Sequence, residues 1–142
     1  MTDIEQRIST SFSSQGLMAS LGARLDLVAD GEVHIVLPFA AHLSQQQGFA
    51  HAGAITSIVD SACGYAALTK APPGSEVVTA EFKVNFLRPA LGEYFLAIGK
   101  VQNAGKSLAV CTGEVHAFNQ NKSSKMIALM QATMAYVGGD NK

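Results

Sequence analysis

Asp60 stands inside an apolar, small-residue stretch, 51-HAGAITSIVDSACGYAAL-68, nine residues after the histidine that opens it. A carboxylate buried there without a partner costs several kcal/mol, a sizeable part of the ~5–15 kcal/mol that holds a domain together. An acid so placed either bonds a neighbouring backbone group or does chemistry. The chemistry open to it is taking a proton as a general base or attacking an electrophilic carbon as a nucleophile. At helical spacing Ile55, Ile58, Val59, Ala62 and Ala66 form an apolar stripe, while Gly53, Thr56, Ser57, Asp60 and Gly64 lie on another face of small or polar groups. One side of such a helix can pack on a sheet while the other lets a ligand or another chain come close.

The elements that must hold this helix follow from the periodicity. Ile4, Ile8 and Phe12 fall four apart and predict an amphipathic helix within 3–19. Residues 23–37 hold two alternating runs around Asp30-Gly31, a dipeptide suited to a tight hairpin turn, and Pro38 ends the second. A glutamine-rich loop covers 39–50, and the central helix runs from about Ala52 to Thr69, stopped by Pro72-Pro73-Gly74. From Glu76 the period changes to two, with Ala80, Phe82, Val84 and Phe86 alternating against Thr79, Glu81, Lys83 and Asn85. Further runs at about 92–102, 107–118 and 125–137 predict a four-stranded meander. The sum is an α+β fold, a curved antiparallel sheet of five to six strands wrapped around a long helix, in one domain over 1–142 with its core at about 20–137.

Composition removes several classes of function. With 10 basic against 11 acidic side chains there is no electrostatic footprint for nucleic acid or an anionic membrane. No apolar run has the length of a membrane span or the pattern of a signal peptide, so a cytoplasmic location is the default expectation. Cys63 and Cys111 are read as reduced, buried small hydrophobes, and the four histidines lack paired metal-ligand spacing. Residues 99-GKVQNAGKS-107 imitate a phosphate-cradling loop, but the first glycine is one residue too far away and no helix pattern follows; a strand turn is expected. His116 alternates with Glu114 and Phe118 and is placed at the sheet surface or an interface. Low charge leaves apolar surface for self-association to cover.

His51-Ala52-Gly53, Asp60 nine positions on, and 85-NFLRPALGE-93 together resemble the hotdog-fold acyl-coenzyme A thioesterases, in particular the PaaI-type, 4-hydroxybenzoyl-coenzyme A thioesterase-like branch. The resemblance covers about 17–137. It implies a carboxylate at Asp60, a loop amide at Gln45 with Gln46 and Gln47 as neighbouring alternatives, and a hydroxyl at Thr79 that helps hold water. Ala52 departs from the family's glycine; it keeps the N–H and loses the conformational freedom. The resemblance further implies coenzyme A phosphates meeting Lys106 and Ser107 in the 105–107 turn, with Arg88 as a second cation. It implies a homodimer, able to pair further into a tetramer, whose site lies between subunits, and no metal or redox cofactor.

Thioester hydrolysis needs an activated nucleophile and donors aimed at the oxygen that gains charge. Unpartnered N–H groups at the start of the helix, near Ala52 and Gly53, meet the second need, reinforced by the helix dipole. His51 orients the loop. The rival from another class is a non-catalytic acyl-coenzyme A binding module, against which Asp60 argues, because binding alone requires no carboxylate beside a thioester. A hotdog dehydratase would place its histidine and acid differently at the helix start. The acyl group stays open among aryl, medium-chain and longer groups, with Phe49, Tyr65, Met18 and Phe82 as candidate lining.

Overall fold

The computed structural model describes residues 1–121 and 123–139. In chain order these form two short helices, α1 (Asp3–Ser13) and α2 (Gly16–Leu21), and a hairpin of β1 (Arg24–Ala29) and β2 (Glu32–Pro38). The long helix α3 (Ala52–Leu68) follows, then β3 (Ser75–Phe86), β4 (Tyr94–Ala104), β5 (Leu108–Phe118) and β6 (Ser124–Gly138). The segment expected as one helix over 3–19 is two. Ser14 turns its hydroxyl back onto the Thr10 carbonyl, and Gln15 adopts extended geometry at the start of α2.

The strands make one six-stranded antiparallel sheet in the order β1-β2-β4-β5-β6-β3. The predicted meander therefore holds only for β4, β5 and β6. β3 lies beyond β6 at the sheet edge, and β4 pairs with β2, which joins the hairpin to the main sheet. The link 87–93 spans three strand spacings, about 14 Å at ~4.8 Å each, within reach of its residues at ~3.3 Å apiece.

Helix α3 packs across one face of this sheet and buries Ile55, Ile58, Val59, Ala62 and Ala66 completely. Its depth is set by two glycines that face each other across β4 and β5, Gly99 and Gly113. A Cβ on Gly99 would come within 2.4 Å of the Ala62 carbonyl carbon, and one on Gly113 within 2.5 Å of Val59. Only glycine allows that approach, and it fixes which side of α3 is left uncovered. The helix ends at Thr69, whose hydroxyl donates to the Ala66 carbonyl and accepts from the Gly31 N–H of the β1–β2 turn.

Cys63 and Cys111 are buried free thiols. Burial pushes Cys111 up to about 11 and Cys63 in the same direction, so both stay protonated and unreactive at neutral pH. The 105–107 segment is the turn between β4 and β5, and His116 pairs with Glu114 at 3.0 Å on the sheet surface. No helix among the described residues is long and apolar enough to cross a membrane.

Candidate active site

The uncovered stripe of α3 carries Gly53, Thr56, Ser57, Asp60, Ser61 and Gly64, none of them buried. Thr79 of β3 donates its hydroxyl hydrogen to Asp60 Oδ1 at 2.8 Å. A strict alternation along β3 would group Thr79 with Glu81, Lys83 and Asn85, facing away from α3. The strand instead carries a bulge: Thr79 pairs with Met134 and Glu81 with Thr133, leaving Ala80 as the extra residue. The inserted residue shifts the phase. Thr79 thus shares the helix-facing side with Phe82, Val84 and Phe86, and its oxygen also lies 3.5 Å from the buried Met134 sulfur.

Partial burial raises the Asp60 carboxyl above the ordinary carboxylate range, and the Thr79 hydroxyl pulls the other way by stabilising the charged form. Asp60 and Thr79 open onto a cleft of about 260 Å³, whose other walls include Ser61, Tyr65, Leu68 and Val77.

Gln45, His51 and Ala52 line a different cavity, of about 320 Å³, together with Phe49, Phe86 and Arg88. Among the three consecutive glutamines only Gln45 is in this wall. Its side-chain oxygen accepts from the Gln47 and Phe49 N–H groups, and its amide donates to the Gln47 side chain, so the loop holds it in place. His51 is the N-cap of α3, with Nδ1 accepting from the Gly53 N–H at 2.7 Å. That bond corrects the expectation of two free donors at the helix start: the Gly53 N–H is engaged, and the Ala52 N–H has no protein partner among the described residues. A Cβ at Gly53 would sit 3.0 Å from His51 Nδ1, so a larger residue there would displace the imidazole by a few tenths of an ångström. Ala52 lies in ordinary helical geometry, so the lost glycine costs no strain.

Within one chain these two groups stand apart. Nine residues on an α-helix make about two and a half turns and ~13 Å of rise, so His51 and Asp60 face opposite sides. Gly53, about two turns before Asp60, is on Asp60's side. Arg88 donates to the Met126 carbonyl at the far end of β3 and is shared between the Gln45 cavity and a neighbouring one of about 500 Å³ that also holds Lys125. Lys106 and Ser107 are at the opposite end of the sheet, where the Ser107 carbonyl accepts from the Tyr136 N–H. About ten residues of strand, roughly 33 Å, separate them from Arg88. The chain does not bring its two expected phosphate contacts together.

Of the candidate acyl-lining residues, Tyr65 borders the Asp60 cleft and Phe49 the Gln45 cavity, while Met18 is fully buried in the core and Phe82 is 40% exposed on the edge strand. Sequence reasoning missed Ser11 and Gln15, which reach the Asp60 cleft from α1 and the α1–α2 junction. The helical spacing of Ile4, Ile8 and Phe12 announced an amphipathic helix but not the face on which it docks.

Residues 47–124, more than half the chain, match the family described as the thioesterase superfamily. A thioesterase family protein of Silicibacter pomeroyi superposes with a TM-score of 0.92 at 42% identity, over 96% of this chain and 99% of that one. The Escherichia coli PaaI protein from the phenylacetic acid degradation operon superposes with a TM-score of 0.84 over 96% of this chain and 94% of its own; at 23% identity the likeness is one of fold. A Halobacterium salinarum protein named "Putative esterase" is 30% identical over 114 residues, 76% of this chain and 74% of its own. The matched region runs from the glutamine loop through α3, with Asp60, and β3, with Thr79, into β6, and the chain is a hydrolase with the hotdog fold that belongs to the thioesterase superfamily.

Proposed function

We propose that this hydrolase cleaves an acyl-coenzyme A to a carboxylate and free coenzyme A, at a site assembled from two copies of the chain. The reading rests on one observation above the others: a carboxylate on the open stripe of α3, raised by burial and oriented by the Thr79 hydroxyl, borders a cleft of acyl-group size. In this reading Asp60 of one subunit takes a proton from water, and the resulting hydroxide attacks the thioester carbon. The thiolate leaves and takes that proton. Because Thr79 has spent its hydrogen on Asp60, it meets the water as an acceptor, which would orient a lone pair toward the substrate. Direct attack by Asp60 to form a mixed anhydride is the alternative route; label in the Asp60 carboxylate after single-turnover hydrolysis in ¹⁸O water, from attack of water on the Asp60 carbonyl of the anhydride, would identify it.

The partner's loop would supply the other half: Gln45 to position the carbonyl and the Ala52 N–H to stabilise its developing charge at the helix start. Two features support self-association. The 12-residue β3 pairs on one side only, and Val78, Phe82 and Phe86 along it are 40–50% exposed. The open stripe of α3, small enough for close approach, lies beside that edge.

The test is release of free thiol from aryl and straight-chain acyl-coenzyme A esters by wild type, Asp60→Asn, Gln45→Ala and a refolded mixture of the two variants. Each variant alone should be nearly inactive. If Asp60 and Gln45 of one site come from different chains, random hybrids restore one intact site in two, giving about one quarter of wild-type activity on mixing. No recovery would put both residues of a site in one chain. An active Asp60→Asn would remove Asp60 from the chemistry, and binding without thiol release by the wild type would make the binding module the better reading.

A further inference from the structure

The Asp60 cleft ends in a polar trio that the hydrolytic chemistry does not use. Ile8 is fully buried and the Phe12 ring lies 6.1 Å from that of Tyr65, so α1 is docked against α3 beside the cleft. The docking brings the Ser11 hydroxyl to 3.0 Å from the Tyr65 hydroxyl and the Gln15 amide, donating, to 2.9 Å from the same oxygen. All three residues line the cleft that Asp60 and Thr79 open onto, and Tyr65 itself is 7% exposed.

A count of hydrogens shows what this trio offers. The Tyr65 oxygen accepts one hydrogen from Gln15. The Ser11–Tyr65 contact consumes one hydroxyl hydrogen, whichever of the two donates it, and leaves the other hydroxyl hydrogen without a partner in the trio. Tyr65 follows Asp60 by five residues, about 7.5 Å of helix rise. An acyl chain reaching from the thioester to the trio would expel water there, and an alkyl end would strand that donor. Glu76, in the same walls, is already paired with the Arg7 guanidinium at 3.1 Å, so the free hydroxyl hydrogen of the trio is the polar group that an acyl end must satisfy. We propose that Ser11, Gln15 and Tyr65 form the specificity-determining end of the acyl site and select an acyl group ending in a neutral oxygen function, a hydroxyl or carbonyl, over an alkyl end. The proposal rests on the thioesterase reading of Asp60.

Two isosteric esters test it, heptanoyl-coenzyme A and ω-hydroxyhexanoyl-coenzyme A, with wild type and the triple variant Ser11→Ala/Gln15→Leu/Tyr65→Phe, because either hydroxyl deleted alone still leaves a free donor in the trio. Wild type should favour the hydroxy ester about tenfold in kcat/KM, and the triple variant should bring the ratio toward one. A wild-type ratio of one, or a triple variant that slows both esters equally, would overturn the proposal in favour of a purely structural trio. Calorimetric binding of the same pair to Asp60→Asn reads the preference without turnover, and a tenfold tighter hydroxy ester is expected there too. Equal affinities would overturn the trio, whereas thiol release by Asp60→Asn would overturn the Asp60 reading instead.

Discussion

Replacing Thr79 by valine removes one hydroxyl and keeps the shape, which isolates the 2.8 Å bond to Asp60. The bond stabilises ionised Asp60 before proton transfer, so its own energy does not lower the barrier; its loss removes the aim of the base, a part of the ~10²–10⁴-fold that general-base catalysis contributes. A fall of about tenfold in kcat, ~1.36 kcal/mol of barrier, is expected, with KM nearly unchanged because Thr79 is placed on the carboxylate and not on the substrate. A second signature has a fixed sign. The hydroxyl favours ionised Asp60 and opposes the upward push of burial; without it the push is unopposed and the carboxyl rises further. If ionised Asp60 does the work, the acid limb of the kcat/KM profile must then move to higher pH. Thr79→Ser, which keeps the donor, should stay close to wild type in both respects. Steady-state thiol release across the acid and neutral range reads all three proteins. Wild-type kcat and an unmoved limb in the valine variant would refute the reasoning, as would equal losses in valine and serine, which would point to packing.

The same burial bears on stability. Because the folded-state value of Asp60 is raised, its contribution is fully present below the unfolded value near pH ~3.9 and is lost as pH rises through the folded one. Asp60→Asn should therefore raise Tm at neutral pH, with the gain closing in acid; a lower Tm at neutral pH would contradict the buried-charge account. Gly53→Ala sets a gain of at most ~1 kcal/mol in helix propensity against the loss of a cap worth about 1 kcal/mol. Melting should change little while turnover falls as His51 is displaced, and unchanged turnover would show that the His51 cap has no bearing on the site. Arg88→Ala should raise KM for coenzyme A esters by an amount that shrinks with salt, and Lys106→Ala tested beside it shows whether the opposite end of the sheet also meets the phosphates; an unchanged KM removes either residue from that contact.

Much of this architecture was legible because it depends on period and punctuation. The helix over Ala52–Leu68 and the runs that became β4, β5 and β6 are local patterns bounded by Pro, Gly and Asn, and the Asp30-Gly31 turn is local chemistry. The place of β3 was not legible, because strand order depends on which edges pair, and β2 takes the side of β4 that a plain meander would give to β3. Nor was the bulge at Ala80. A single extra residue leaves no composition signal, yet it decides whether Thr79 faces Asp60 or the outer surface. The state of the Gly53 N–H was hidden for a related reason: a histidine at a helix start can cap or point away, and the 2.7 Å contact from its own ring nitrogen is a tertiary outcome.

These observations meet in the packing of α3. Gly99 and Gly113 seat the helix so deeply that its apolar stripe is sealed, and a helix seated that way cannot roll to hide Asp60. The unfavourable position of the carboxylate is therefore enforced by a close backbone approach on the side away from the site. Relief at Asp60 by local relaxation would require breaking that contact, so the raised carboxyl is a property of the fold and not of one flexible side chain. Gly99→Ala should test this coupling directly: its Cβ would meet the Ala62 carbonyl carbon and the Cys63 backbone nitrogen at 2.4 and 2.5 Å, and α3 must lift or rotate. Overpacking of this kind costs about 1–3 kcal/mol, and a rotated helix would also separate Asp60 from Thr79. The variant should thus lose stability and reproduce the upward acid-limb shift of Thr79→Val, although the substituted residue faces the opposite side of the helix. Destabilisation with an unmoved acid limb would show that Asp60 is positioned independently of helix depth.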